Sequence, residues 1–477
     1  MSTPVDPSHA GPHAHVATDR RSWWILGLIG LAQFMVILDV TVVNVALPTI
    51  GGALNFSATD LQWVVTVYVL FTGGLMLLGG RATDLLGRRR VFLVGLLVFT
   101  LASLASGLAW SPLALIVARA VQGFGAALLL PSALAIITTT YSHAQRTVAL
   151  SIWAAIGSAG VAAGVLFGGV ITTLLGWEWI FFINVPIGIV VAAGAIRLLP
   201  ADTRLPLARA KLDLLGAATV MVGLVTLVYG IVGTAQHGWS SGRTLLLLGI
   251  AGALLAAFIG IERRGREPLV PPATWRVRSL VSSAVVMLGV TGILVGAFYL
   301  NTLYLQTVLG YSALKTGLSF LPLALVILAA AHLASRLLPH AGSRLVALGG
   351  LTLTAGGALL LAAAPDQASY TTNVLPGFLL LGAGVGLVFV AVTVTAMADV
   401  RHEQAGLASG IMTTAHELGA ALGVAVLAAV ATVNSNPVGD YGNSFLVAAA
   451  IAALLAVFVV VALPAVRPAA GTHASMH

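Results

Sequence analysis

Fourteen apolar runs, each long enough to cross a bilayer as a helix, leave this chain of 477 residues few ways to fold. Their approximate limits are 23–48, 60–79, 91–110, 112–137, 147–173, 179–199, 213–234, 244–262, 279–308, 316–338, 344–364, 372–397, 404–432 and 444–464. A hydrocarbon layer of ~30 Å takes about 20 helical residues, and each run reaches that length between clusters of Pro, Gly and charge. Alternation at period 2 is absent and the runs are too long for barrel strands. Helices are then the remaining way to satisfy the backbone in lipid. The sequence predicts an all-α integral membrane protein. With 59% hydrophobic and 8% charged residues, a water-soluble globule lacks the polar surface it needs.

Charge placement sets the expected orientation. With the N-terminus inside, twenty of the 23 lysines and arginines fall on the cytoplasmic side, only Arg243 and Lys315 fall outside, and Arg119 lies within a span. That asymmetry is a strong positive-inside signal and requires an even number of spans with both termini cytoplasmic. The net charge of +8 is therefore read as topology, because the basic loops are short and scattered, without the basic face and interleaved aromatics of a nucleic-acid binder. The predominance of arginine over lysine, with abundant Ala and Gly, suggests a GC-rich bacterial genome and hence a bacterial plasma membrane. The chain has no cysteine, which excludes disulfides and thiolate metal sites. His9, His13, His15, His473 and His477 read as solvated tail residues, so no metal and no bound cofactor is expected. No Ser/His/Asp set or phosphate loop appears, and enzyme activity is not expected.

Three ionisable residues inside the spans stand out, because a charge at the bilayer centre costs roughly 2.5–3.5 kcal/mol on insertion scales. Asp39 sits in a first run that is otherwise free of charge from Leu26 to Pro48. It lies ~16 residues from the inner end of its span, about 24 Å up, while Arg119 lies ~7 residues from the outer end of span four, about 10 Å down. Both fall in the outer half at similar height, and an unpaired guanidinium in lipid is implausible. Arg119 is expected to pair with Asp39, with backbone carbonyls and waters as the alternative. Glu417, preceded by His416, lies near mid-membrane in span thirteen and is as costly as Asp39.

Four motifs carry a family resemblance. The loop Gly80-Arg-Ala-Thr-Asp84-Leu-Leu-Gly87-Arg88-Arg89-Arg90-Val91 closely resembles the cytoplasmic signature of the major facilitator superfamily, with Ala82 and Leu85 as departures. Gly87 permits a tight turn while Asp84 and the arginines can form an ion-pair latch between helix ends. Leu115-x3-Arg119-x2-Gln122-Gly123-x-Gly125-Ala126-Ala127 resembles the second signature of that superfamily. Gly160-x3-Gly164-Val165-x2-Gly168-Gly169 is similar to its antiporter signature, with Val165 where proline is usual. Glycines at that spacing leave a smooth face on which another helix can pack and rock. Leu38-Asp39-Val-Thr41-Val-Val-Asn44-Val-Ala-Leu-Pro48 resembles the first span of the 14-span drug:proton antiporters, and Trp177-Glu-Trp179-Ile-Phe-Phe-Ile-Asn184-Val-Pro186-Ile-Gly188 also looks like that family. The match is dense over residues 26–199.

The resemblance implies two six-helix bundles plus two central extra helices. Gly384-x-Gly386 echoes Gly123-x-Gly125, and Gly419-x3-Gly423 echoes Gly160-x3-Gly164, as parallel repeats should. The expected division is a tail over 1–22, a bundle over 23–199, a linker with two helices over 200–278, a second bundle over 279–464 and a tail over 465–477. The expected activity is export of lipophilic, often cationic drugs or antibiotics in exchange for protons, by a chain that works as a monomer. Asp39, Arg119 and Glu417 would couple it to the proton gradient. Burial and a neighbouring arginine act oppositely on a carboxylate's hold on its proton, so Asp39 would change protonation as the cavity turns. Trp63, Tyr68, Tyr299, Asn301, Tyr304, Phe389 and His416 are the candidate cavity residues for flat lipophilic substrates. A proton-coupled uptake symporter, or an exporter of one endogenous metabolite, remains the alternative.

Overall fold

Among the described residues of the computed structural model, fourteen helices are long and apolar enough to cross a membrane. The described residues are 20–141, 143–202, 213–265, 270–364, 369–400, 404–431 and 437–467. The terminal histidines, most of both expected tails, and Arg204, Arg209, Lys211, Arg266 and Arg401 lie outside them. In order the spans are Arg21–Leu54, Thr59–Leu86, Arg88–Gly107, Pro112–Thr140, Val148–Leu174, Trp179–Leu198, Leu214–Thr234, Gly242–Arg264, Arg278–Val308, Ala313–Ala341, Ser343–Ala362, Tyr370–Met397, Gly406–Val430 and Tyr441–Ala462. Span one continues past Pro48, where the sequence suggested a stop. A proline in a membrane helix forfeits one backbone bond, and neighbouring helices absorb that locally. Pro131, Pro322 and Pro339 likewise lie inside helices.

Helix starts are capped as their sequences allow. The Ser111 hydroxyl accepts from Ala114 N–H ahead of Pro112, and Ser241, Ser312 and Asp213 cap spans eight, ten and seven in the same way. Gly87, at φ +100°, makes the turn between spans two and three; Gly342, at φ +80°, makes the turn between ten and eleven. A side chain at either is strained by its backbone alone. The chain after each bundle returns to the helix that follows that glycine. Asp202 accepts the backbone N–H groups of Arg89 and Arg90 at 3.2 and 3.0 Å. In the second half, Ser343 N–H donates to Val466 O at 2.8 Å and Arg344 Nε to Leu463 O at 2.8 Å.

Two six-helix bundles result. In the first, span one packs on five and six, and span four on two and three; in the second, nine packs on thirteen and fourteen, and twelve on ten and eleven. A shift of eight spans superposes one set of pairs on the other. The bundles meet along two seams, span two on thirteen and span five on ten. The extra helices are unlike each other: span seven lies against both two and thirteen, whereas span eight packs on seven and is largely exposed.

Candidate functional site

The first bundle encloses a charged network. Arg119 and Gln122 share one face of span four, three residues apart, and that face meets Asp39 of span one. Arg119 Nη1 donates to Asp39 Oδ2 at 2.5 Å and to Gln122 Oε1 at 2.8 Å, while its Nε donates to Val64 O at 3.1 Å. The other carboxylate oxygen, Oδ1, accepts from Gln122 Nε2 at 2.9 Å and from Asn184 Nδ2 at 2.8 Å. Asn184 also donates to Ser103 Oγ at 2.9 Å, and Ser103 donates to Phe181 O. Asp39 and Arg119 are each 1% exposed. One face of the guanidinium is covered by Tyr68, whose ring centroid lies 4.1 Å from Arg119 Cζ. A desolvated pair of this kind is costly to break from one side, because the remaining charge has nowhere to go.

Span five presses the Asp39 helix into this network. A Cβ at Gly160 would lie 3.3 Å from Ile37, one at Gly164 2.6 Å from Thr41 Cβ, and one at Gly168 3.1 Å from Val42 Cα. These three glycines form the bed for the segment that carries Asp39. Gly169 faces the other bundle, where its Cβ would fall 2.5 Å from Leu314 Cα of span ten. In the second bundle Gly419 and Gly423 of span thirteen meet Leu288 and Gly292 of span nine at similar closeness.

Glu417 stands apart from that network. It is partly buried where span thirteen crosses span two, with its Cβ 2.5 Å from the point a Gly73 Cβ would occupy. Neighbouring His416 has Nδ1 3.1 Å from Thr291 Oγ1 and its ring 5.8 Å from Phe389. Further out, Tyr299 and Tyr304 line a cavity of about 470 Å³ with Pro48, Phe56, Leu61 and Tyr441. Tyr304 stacks on Tyr441 at 4.2 Å, and the Tyr441 hydroxyl donates to Asn301 Oδ1 at 2.7 Å.

Comparison with known proteins decides what this architecture belongs to. Residues 29–424 match the Major Facilitator Superfamily. The chain belongs to that superfamily. Among its relatives, the puromycin resistance protein pur8 of Streptomyces alboniger is 42% identical over 89% of this chain and 85% of its own length. The cephamycin export protein CmcT of Amycolatopsis lactamdurans is 39% identical over 84% and 83%, and the lincomycin resistance protein of Streptomyces lincolnensis 36% over 95% and 93%. Among solved structures, an auto-inhibited POT family peptide transporter superposes with a TM-score of 0.67 at 18% identity, covering 92% of this chain and 95% of that one. At that identity the likeness shows the fold.

Within this facilitator, the sequence-predicted residues separate into five places. Asp39 and Arg119 meet. Tyr68 lies beneath Arg119 instead of lining a cavity, because a buried guanidinium draws an aromatic face. Tyr299 and Tyr304 reach the outer cavity, and Asn301 is 0% exposed and supports Tyr441 behind it. Phe389 and His416 meet at 5.8 Å, Glu417 beside them in sequence packs on span two, and Trp63 packs on Tyr229 of span seven at 6.4 Å. At the loop between spans two and three Asp84 is exposed and makes no hydrogen bond or ion pair among the described residues. The carboxylate fastening this loop is Asp202, since the free N–H groups and positive end of span three attract an anion. Arg89 Nη2 adds a bond to Ile196 O at 2.7 Å, so in this conformation Arg89 is tied to span six. Asp202, Gln122, Asn184, Ser103 and Tyr441 carry structural roles that were not among the predicted site residues. Only Gln122 and Asn184 had a sequence signal, their place inside family-like motifs.

Proposed function

We propose that this transporter exports lipophilic, often cationic drugs or antibiotics in exchange for protons, by alternating access in a bacterial plasma membrane. The observation that supports this reading best is the buried Asp39 carboxylate, held by Arg119, Gln122 and Asn184 inside a bundle that must rock. A carboxylate so placed trades its arginine for a proton when the surrounding helices shift, and each trade changes which side the bundle favours. Relatives named for puromycin and lincomycin resistance and for cephamycin export fit the outward direction. Glu417, near the seam between the bundles, is the acidic contact for a positive substrate, and the aromatic side chains of Phe389, Tyr299 and Tyr304 receive its flat apolar part. Gly160, Gly164 and Gly168 let span one slide on span five as Asp39 changes state. Gly80, Asp84, Gly87, Arg88, Arg89 and Arg90 act as a conformational latch at the inner face, closing in the opposite phase of the cycle. Both termini face the cytoplasm, the protein works as a monomer, and the proton gradient is its energy source.

The test is efflux from an efflux-deficient bacterial host expressing the chain, across a panel of cationic dyes, antiseptics and antibiotics, with and without a protonophore. Energy-dependent efflux that collapses with the proton gradient is the expected result. Accumulation on energisation would favour an uptake symporter. Efflux confined to one compound would favour a dedicated exporter.

A further inference from the structure

Tyr68 occupies the ground between the two acidic groups of this transporter. Its side chain is 1% exposed, its ring is stacked by Arg119, and its hydroxyl is buried with no hydrogen-bond partner. Thr72, the neighbouring hydroxyl on span two, spends its one proton on the carbonyls of Tyr68 and Gly123 at 2.8 and 3.2 Å, so it can meet the phenol only as a neutral acceptor, weaker than a carboxylate. A phenylalanine would provide the same stack without stranding a polar atom, so the hydroxyl has no packing explanation. Three other helices bring ionisable groups to its surroundings: Arg119 of span four stacks on its ring and holds Asp39 of span one, and Glu417 of span thirteen packs against Gly73 of the same helix. Span seven, which also lies against this helix, brings Tyr229 against Trp63. Tyr68 thus stacks inside the first bundle while Glu417 approaches from the second, five residues along span two at Gly73.

We propose that Tyr68 is a positioning residue for proton coupling. Its spare hydroxyl donates to Asp39 or to Glu417 when rocking of the bundles withdraws that carboxylate's partner, and it so links the two acidic sites across the seam. In the conformation seen here Asp39 already accepts from Arg119, Gln122 and Asn184, and the phenol makes no bond to it. Motion along the seam between spans two and thirteen changes the distance to Glu417 and leaves the stack on Arg119 intact. One donor serving two carboxylates in turn makes the state of one visible to the other. The inference rests on the proton-coupled reading above.

The experiment compares wild type, Tyr68→Phe and Tyr68→Leu reconstituted in liposomes. Tryptophan fluorescence is followed against pH, and ethidium export is driven by an imposed pH gradient. Tyr68→Phe is expected to keep wild-type melting, with a displaced midpoint of the pH-dependent fluorescence change and export slowed roughly tenfold, the loss of one charge-assisted hydrogen bond. Tyr68→Leu should lower the melting temperature as well, since it removes the stack. A Tyr68→Phe protein with the wild-type pH midpoint and rate, alongside an inactive Asp39→Asn, would overturn the proposal and leave the coupling reading standing. A wild-type protein indifferent to the gradient, with pH-independent fluorescence, would overturn both. Should Tyr68→Phe express poorly, its melting and pH midpoint are read in a cycle with Glu417→Gln: non-additive effects support the link and strict additivity refutes it.

Discussion

Replacing Asp39 by asparagine tests the network most directly, because the shape is conserved and only charge and hydrogen-bond sense change. An asparagine offers one acceptor oxygen and one donor group, whereas the Asp39 carboxylate presents acceptors on both sides. Turned either way, its NH2 meets donors, either Arg119 Nη1 or the amides of Gln122 and Asn184. At least one bond becomes a donor–donor contact, and the guanidinium loses its counter-charge. Attraction between unit charges at 4 Å and an effective dielectric of 20 is about 4 kcal/mol, and removing one partner of a buried pair costs about 3–5 kcal/mol. We expect Asp39→Asn to reach the membrane, to melt well below wild type after purification, and to lose gradient-driven efflux of a fluorescent substrate entirely. Adding Arg119→Gln removes the stranded charge, so the double variant should regain most of the melting temperature and none of the transport. The coupling between the two sites in stability should be about 2–3 kcal/mol, the upper part of the range for contacting residues. An Asp39→Asn protein that melts and transports like wild type, or two stability losses that simply add, would refute the reasoning.

Other positions give independent checks. Asn184→Ala removes one donor to Asp39 and one to Ser103, and should slow transport by about tenfold, the worth of one hydrogen bond to a charge, in vesicle efflux assays. Gly164→Leu, whose Cβ would fall 2.6 Å from Thr41, should abolish transport, whereas Gly80→Ala, with nothing nearer than 4.0 Å, should be tolerated; equal outcomes would contradict the packing argument. Asp202→Ala should destabilise the inner end of span three by about 1 kcal/mol, the worth of a helix N-cap, while Asp84→Asn should leave melting unchanged and alter only turnover. Glu417→Gln should weaken binding of a permanent cation at least tenfold more than that of a neutral drug, a difference of about 1.4 kcal/mol that direct binding measurements resolve.

Legibility in the sequence followed the cost of being in lipid. Asp39 and Arg119 declared themselves because each is expensive alone, and helix depth was enough to bring them to one height. The fourteen spans were legible for the same reason, with ends misplaced where a proline such as Pro48, or the Gly80-Arg81 step in span two, was read as a stop. Asn184 was visible only as part of a motif, since an uncharged amide carries little insertion penalty and its partner is 145 residues away. Asp202 was missed because it acts on backbone N–H groups, which no side-chain pattern announces. The aromatic residues were read as one group, yet they fall into an outer cavity, a contact with His416 and a cover for Arg119. Their spacing along the chain says nothing about which helix faces them.

The extra hairpin gives the molecule a front and a back. Of the two seams between the bundles, the one between spans two and thirteen is shuttered by span seven, with Met221 seated against Gly74, and the one between spans five and ten has no such cover among the described residues. A molecule dissolved in the bilayer therefore reaches the closed seam directly on one flank and meets a wall on the other. An inhibitor meant to wedge the halves apart from the lipid should be shaped for the flank of spans five and ten, where Val165 and Gly317 stand face to face.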